Sequence, residues 1–335
     1  MNVKIYPIPT GYLFVDKYSK GELETLSIGD YGKLYNVKAD FLGYYKEING
    51  VPNTNCMPLQ EKWVITLSTQ YGCPMKCTFC DVPNIQFKGN VTFNDLLFQL
   101  NNALSLFPEV KYTERLNIHY ARMGDPIFNQ NVFDFSRWIY RNKKYLGVRI
   151  ETLHPVLTTS SPKKFTKLEE RLLDWCEIKN NVYNGQAGLQ FSINSTSDEQ
   201  RDIMFSGMQI KLKDLAKIAN KLPSPIGRKY CLNFAYASSF EVKAQYLVSL
   251  FDPEKFMCKI TPIHNNNSCK QNGIETIKGY EEYTPYKKVE DDLKNVGFDV
   301  LVFVPSMDEE NGLVTCGNAI LGGGKINSNS VIKIG

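Results

Sequence analysis

The chain has 335 residues, 43% of them hydrophobic and 12% aromatic, enough to build a large core in one α/β barrel or in two modest domains. Its formal charge of +4 permits contact with a nucleic acid without predicting one, because basic domains gather their charge in a patch or a stripe. Nine cysteines, an odd number in a chain read as cytoplasmic, argue against a disulfide framework and for metal or redox chemistry. No stretch reaches the roughly 18 apolar residues of a membrane span. The opening MNVKIYPIPTGYLF lacks the charged and apolar regions of a signal peptide.

In chain order, residues 1–60 are rich in Tyr, Lys and Gly with β-like alternation around 34–45, which predicts a small N-terminal β extension. From 61 to 324, strand-like runs alternate with amphipathic stretches. The strands are predicted at 63–68, 116–121, 148–153, 188–194, 230–236, 258–263 and 298–304. Helical patterns fall at 92–107, 131–142, 163–176, 211–221, 241–251 and 283–296, the first opened by Thr92 with Asp95 as its capping partner. This alternation predicts a parallel sheet with right-handed crossovers, an α/β fold arranged as a partial (β/α)6 barrel, with 325–335 as a tail. In such a barrel, reactive groups collect at the carboxyl ends of the strands.

The segment YGCPMKCTFCDVP follows the first barrel strand and places Cys73, Cys77 and Cys80 in a CxxxCxxC spacing. Thiolates are the usual ligands of iron–sulfur clusters. Three on one tight loop can hold three irons of a 4Fe–4S cube and leave the fourth iron open to the amino and carboxylate groups of S-adenosylmethionine. Phe79 stands where a ring could pack beside the adenine. The plainer alternative is a structural zinc site completed by Cys316 or His154, but paired CxxC units are absent.

Supporting positions lie at later strand ends. RMGDPIFN offers Gly124 for close backbone approach and Asp125 for an ammonium group; its bland reading is an ordinary turn. LTTSS supplies Thr158 and Ser160, and FSINS supplies Ser192 and Asn194, hydroxyl and amide groups suited to a ribose or a carboxylate. Asn266 in the HNNN run is a cofactor contact or a solvated turn. Cys176, Cys231, Cys258 and Cys269 read as packing residues.

Together these motifs resemble the radical SAM RNA methyl synthases, the RlmN and Cfr family, over about residues 60–324. STQYGCPMKCTFC is similar to the family's cysteine loop, RMGDPIFN to its MGMGEPLxN, LTTSS to LSTSG, FSINSTSDEQRDIM to ISLHAPNDEIRDEI and TCGNA to ACGQL. The resemblance implies a 4Fe–4S cluster, S-adenosylmethionine as cosubstrate, Cys316 as a methyl-carrying catalytic cysteine and an adenosine of ribosomal or transfer RNA as acceptor. It also implies a low-potential electron donor of the flavodoxin or ferredoxin kind.

The sequence departs from the family in three places. Thr66 stands where the resolving cysteine belongs, with Cys56 ten residues upstream as a substitute only if the intervening loop folds back. The family's glutamate base has only Asp40 and Glu47 as weak counterparts. About 60 residues precede the barrel, so the family's N-terminal helical RNA-binding domain is expected to be missing. The acceptor is therefore open between an RNA adenosine and another nucleotide, small molecule or peptide.

Overall fold

The computed structural model describes residues 3–30, 47–48, 51–52, 57–276, 284–305, 307–315, 317–326 and 332–334. Cys56, Asp40 and Cys316 lie outside the described residues, as do the 34–45 alternation and the Glu47 side chain.

Seven parallel strands follow one another across the sheet in sequence order: β4 Trp63–Leu67, β5 Tyr112–Tyr120, β6 Arg149–Thr159, β7 Gly188–Ser192, β8 Tyr230–Tyr236, β9 Phe256–Pro262 and β10 Val300–Val302. With no reversal of order, every right-handed crossover sends its helix to the same face. The other face curls inward, and the arrangement is the partial barrel expected, with each of the seven predicted strands present. The helices that occupy the outer face include α1 Phe93–Ser105, α2 Gln130–Asn142, α3 Leu168–Glu177 and α5 Leu212–Lys221, while α4 Asp198–Met204 packs through Met204 on a separate apolar cluster with Cys77 and Phe79. After these come α6 Ala244–Val248, α7 Asn267–Gln271, α8 Thr284–Asn295 and α9 Met307–Asn311.

Side-chain parity explains why the strands sit this way. On β4 Trp63, Ile65 and Leu67, on β5 Leu116, Ile118 and Tyr120, and on β8 Leu232 and Phe234 enter the core beneath the helices. Their alternating neighbours Val64, Thr66, His119, Asn233 and Ala235 line the inside of the curl. A period of two with apolar residues outward and mostly polar ones inward therefore fixes the register, since a one-residue slip would exchange the faces. At roughly 25 cal/mol per Å² of apolar area, a slip would cost several large side chains at about 2 kcal/mol each. The capping box at α1 forms as predicted: the Thr92 hydroxyl accepts from the Asp95 amide at 3.1 Å, and the Asp95 carboxylate accepts from the Thr92 amide at 2.8 Å. The helix predicted at 241–251 shortens to α6, because Asp252 and Pro253 begin a turn that returns the chain to β9.

The N-terminal residues do not form an isolated appendage. The antiparallel strands β1 Val3–Ile8, β2 Gly11–Tyr18 and β3 Gly21–Gly29 join β4 and extend the same sheet. The 325–335 segment, read as a tail, contributes β11 Ile332–Ile334, antiparallel to β1. The chain ends thus meet at one edge of an eleven-stranded sheet. Leu13, Val15, Leu26 and Ile28 of the extension pack with Val64 and Leu313 in a second apolar cluster, so the segment after α9 covers the inner face of β1–β3. No helix among the described residues is long and apolar enough to cross a membrane.

Candidate functional site

The loop after β4, residues 68–88, carries Cys73, Cys77 and Cys80, all half-buried. It is held from three sides. From α4 and its C-terminal turn, the Met204 carbonyl accepts from the Thr78 amide at 2.9 Å, and the Ser206 hydroxyl donates to the Lys76 carbonyl at 2.6 Å. From α7, Ser268 donates through both amide and hydroxyl to Asp81 Oδ1 at 3.1 and 2.7 Å, and Asn272 Nδ2 donates to the Thr78 carbonyl at 2.9 Å. From the segment after α9, the Gly317 carbonyl accepts from the Asp81 amide at 2.8 Å, and the Gly322 carbonyl from Asn84 Nδ2 at 3.0 Å. Gly322 must be glycine, since a Cβ there would lie 2.2 Å from the Asp81 carbonyl oxygen.

Beneath this loop the inward side chains enclose a cavity of about 200 Å³. Four of the sequence-predicted residues line it: Phe79, Thr158, Ser192 and Asn194. Asn194 takes a left-handed backbone at φ 62°, which asparagine tolerates, and its Oδ1 accepts from the Ala235 amide at 3.0 Å. Its Nδ2 is buried without a protein partner, and so are Asn233 Oδ1 and Thr261 Oγ1 on the same wall. Buried polar groups are nearly always satisfied, so three orphans around one cavity mark a place built for a polar occupant. Phe79 stands edge-on to Phe205 with ring centres 5.4 Å apart, which holds its ring at the cavity wall.

The other predicted residues have work inside the protein. Asp125 Oδ2 accepts from the Ser160 amide at 2.8 Å, the Ser160 hydroxyl at 2.6 Å and the Thr159 hydroxyl at 3.1 Å, while Oδ1 accepts from the Ile127 amide at 3.1 Å. Burial pushes the Asp125 carboxyl up, and those hydrogen bonds oppose the shift. Asp125 and Ser160 therefore lock the end of β5 to the end of β6. Gly124, at φ +90°, leaves room for Gln70, whose Cβ would stand 2.5 Å from an added Cβ. Asn266 caps α7 through Oδ1 and donates Nδ2 to the Phe79 carbonyl at 2.8 Å and the Gly317 carbonyl at 3.3 Å. It braces the cysteine loop against the segment on either side of residue 316. The neighbours of that residue are fixed: Thr315 lines the cavity and Gly317 packs on Phe79 and Cys80. Thr66 also faces the cavity.

Sequence reasoning missed two groups. Glu24 of β3 is completely buried and pairs with Arg122 at 2.6 Å; Arg122 also donates to the Leu313 carbonyl at 2.7 Å, and the Leu321 amide donates to Glu24 at 2.6 Å. One buried ion pair thereby ties both ends of the 313–321 segment to the N-terminal strands. His264 lies against Glu310, Nδ1 to Oε2 at 2.8 Å, and shares the cavity wall with Glu309. The signal for Glu24 was present as an acid within an apolar strand, but its partners lie 98 and 297 residues away. Cys176 and Cys231 are buried with thiols pushed up to about 11, Cys269 to about 12 and Cys258 upward, all by burial, in keeping with inert packing.

No family model matches the chain. Among curated proteins it is 26% identical over 208 residues to the probable dual-specificity RNA methyltransferase RlmN of Pseudothermotoga lettingae, covering 60% of this chain and 55% of that one. It is 31% identical over 137 residues to the probable dual-specificity RNA methyltransferase RlmN of Thermosipho melanesiensis, covering 41% and 35%. The chain thus spans about half or less of the length of these relatives. In fold it resembles a radical SAM methyltransferase from Sphaerobacter thermophilus, with a TM-score of 0.62 and 15% identity over 91% of this chain and 76% of that one.

Proposed function

We propose that this chain, a divergent RlmN-like member of the radical SAM proteins, is an enzyme that transfers a one-carbon unit from S-adenosylmethionine to an adenosine in RNA. The observation that carries the reading is the strapped CxxxCxxC loop above a cavity whose Asn194, Asn233 and Thr261 each present a buried polar atom without a protein partner. The donor set fits a 4Fe–4S cluster: three thiols from one loop, half-buried, with one thiolate assigned to each of three irons. Among the described residues no three His, Cys, Asp or Glu side chains converge as around a single ion, an arrangement a cluster does not require.

Cys73, Cys77 and Cys80 would hold the cluster, which when bound would supply the electron for cleavage of the sulfonium, drawn from a low-potential flavodoxin- or ferredoxin-like donor. The residues of the chain do the rest. Phe79 offers its face to a planar base, while Thr158 and Ser192 offer hydroxyls at the strand ends. Asn194 Nδ2 donates to an acceptor in the cavity, and Asn233 Oδ1 accepts from a donor there. The seven-stranded curl and the overlying loop limit water around the bound molecule. Cys316, bonded to cavity-lining Thr315 and to Gly317, carries the methyl group: its sulfur bonds to the methyl carbon of S-adenosylmethionine as the carbon–sulfonium bond breaks, S-adenosylhomocysteine leaves and the thiol proton is released. Domain limits of 1–60, 61–324 and 325–335 describe this division of labour, with the first and last parts joined in one sheet.

The test is anaerobic reconstitution with iron and sulfide, followed by S-adenosylmethionine and dithionite. Mass spectrometry should find 5′-deoxyadenosine and a methyl group on the Cys316 peptide. Deoxyadenosine without methylation would overturn the carrier role, and neither product on an intact cluster would overturn the whole reading. A second reading, the same radical initiation on a nucleotide, small molecule or peptide, is favoured by Thr66, which faces the cavity where a thiol would be needed to resolve a protein–RNA link.

A further inference from the structure

The curl has a second mouth, at the amino ends of the strands, that the chemistry above leaves unused. There a cavity of about 370 Å³ is bordered by Lys62, Arg115, Arg228, Gln190 and Lys259. Gln190, Lys259, His119 and Phe303 also line the upper cavity, so the two volumes are ends of one passage.

The cations at this mouth are not equivalent. Lys62 is paired with buried Asp30 at 2.7 Å, and Lys259 lies over the Phe303 ring at 5.1 Å. Arg115 uses only Nε, donating to Asn117 Oδ1 at 2.9 Å, and Arg228, accessible at the rim, makes one long contact from Nη1 to the Gln186 carbonyl at 3.4 Å. Neither guanidinium is in an ion pair with a carboxylate among the described residues; exposed Glu61 and Glu114 border the mouth beyond that reach. Burial first, and then repulsion from Arg228, lower the pKa of Arg115, with Asp30 of the same mouth opposing them in part. His154, on the inward face of β6, is held neutral near pKa 3 by burial and by Arg115, Arg228 and Lys62. Two like charges with open donors, held together at the neck of a cavity, are costly alone and are offset by an anion that takes both planar forks.

We infer that this mouth binds a phosphate group between Arg115 and Arg228, on an elongated ligand whose other end reaches the upper cavity. Ala121 at the upper cavity is six residue steps along the chain from Arg115, roughly 20 Å at 3.3 Å per step, a span longer than a nucleoside and suited to a nucleotide or a short strand. That the phosphate belongs to the acceptor rests on the reading of the preceding subsection; the binding itself rests on the geometry.

Calorimetric titration of the cluster-loaded protein with inorganic pyrophosphate tests this without turnover, so loss of radical chemistry would leave the result interpretable. One saturable site is expected, weakened about tenfold or more in Arg115→Gln and in Arg228→Gln and lost in the double variant. Lys217→Gln, on the exposed face of α5, should bind as the parent does, and thermal melts establish that each variant is folded. No saturable binding, unchanged binding in the double variant, or an equal loss in Lys217→Gln would overturn the proposal. Titration with adenosine 5′-monophosphate and with 5′-phosphorylated triadenylate then separates the sources. Tighter binding of the trinucleotide assigns the phosphate to a strand and equal binding to a free nucleotide, while adenosine binding as well as its monophosphate would overturn the phosphate role.

Discussion

At the carboxyl ends of its strands the curl is covered by backbone straps and lined largely by neutral amides and hydroxyls, with His264 and Glu309 on one wall; at the amino ends it is bordered by Arg115, Arg228, Lys62 and Lys259. The upper end gains its shape from loops fastened by side chains such as Asp81, Asn266 and Asn272, each bonded to residues about 190 positions away. The lower end gains its character from strand residues and the turns that lead into strands, where register alone sets position. Neutral dipoles can remain partly unsatisfied in a cavity at modest cost, whereas bare charge cannot, so the upper wall keeps three orphaned polar atoms while Lys62 at the lower end is paired with Asp30.

The largest effect should come from breaking the upper end. Cys77→Ala is expected to lose bound iron and reduce 5′-deoxyadenosine to background, as read by iron analysis and chromatography. Next comes the joint between the upper segment and the N-terminal strands: Glu24→Gln leaves Arg122 charged, buried and unpaired and should lower unfolding free energy by about 3–5 kcal/mol in urea. The lower end should respond to acid. His154 binds a proton near pH 3 when folded and near 6.5 when unfolded, so its contribution is complete above pH 6.5 and is lost as pH falls toward 3. Relative to pH 7, His154→Asn should remove about 2 kcal/mol of the stability loss seen at pH 5, measured as the difference between the two denaturation midpoints. The smallest effect sharpens the comparison from above. Thr261→Val deletes an unsatisfied buried hydroxyl and should leave stability unchanged or raised while weakening S-adenosylmethionine binding by roughly 1 kcal/mol. A variant that weakened both would make Thr261 a packing residue.

The repeating half of the molecule was legible because its signals are local. Parity along β8, the Thr92 capping box and the cysteine spacing each span fewer than ten residues, and the structure contains the strands and helices they imply. The strand predicted at 148–153 instead runs to Thr159, into LTTSS, since His154 and Pro155 interrupt the apolar pattern and the threonines that follow mask its extension. Of the candidate site, Phe79, Thr158, Ser192 and Asn194 reach the cavity, whereas Asp125, Ser160 and Asn266 bond to other parts of the chain. A polar residue at a strand end looks the same in one dimension whether it meets a ligand or a neighbouring loop. The joining of residues 3–29 to the main sheet was not legible either, because the pairing of β3 with β4 spans an intervening segment of more than thirty residues.

The Glu24 clamp also sets an order in time. Glu24 and Leu321 are 297 residues apart, and closing so long a loop in an unstructured chain costs roughly 5 kcal/mol. Once the parallel strands have formed and β3 has paired with β4, Glu24 is held beside the sheet and most of that cost has been met. The bond from the Leu321 amide to Glu24 is therefore expected to close after the strands that carry its partner, so that residues 317–321 settle against walls already formed.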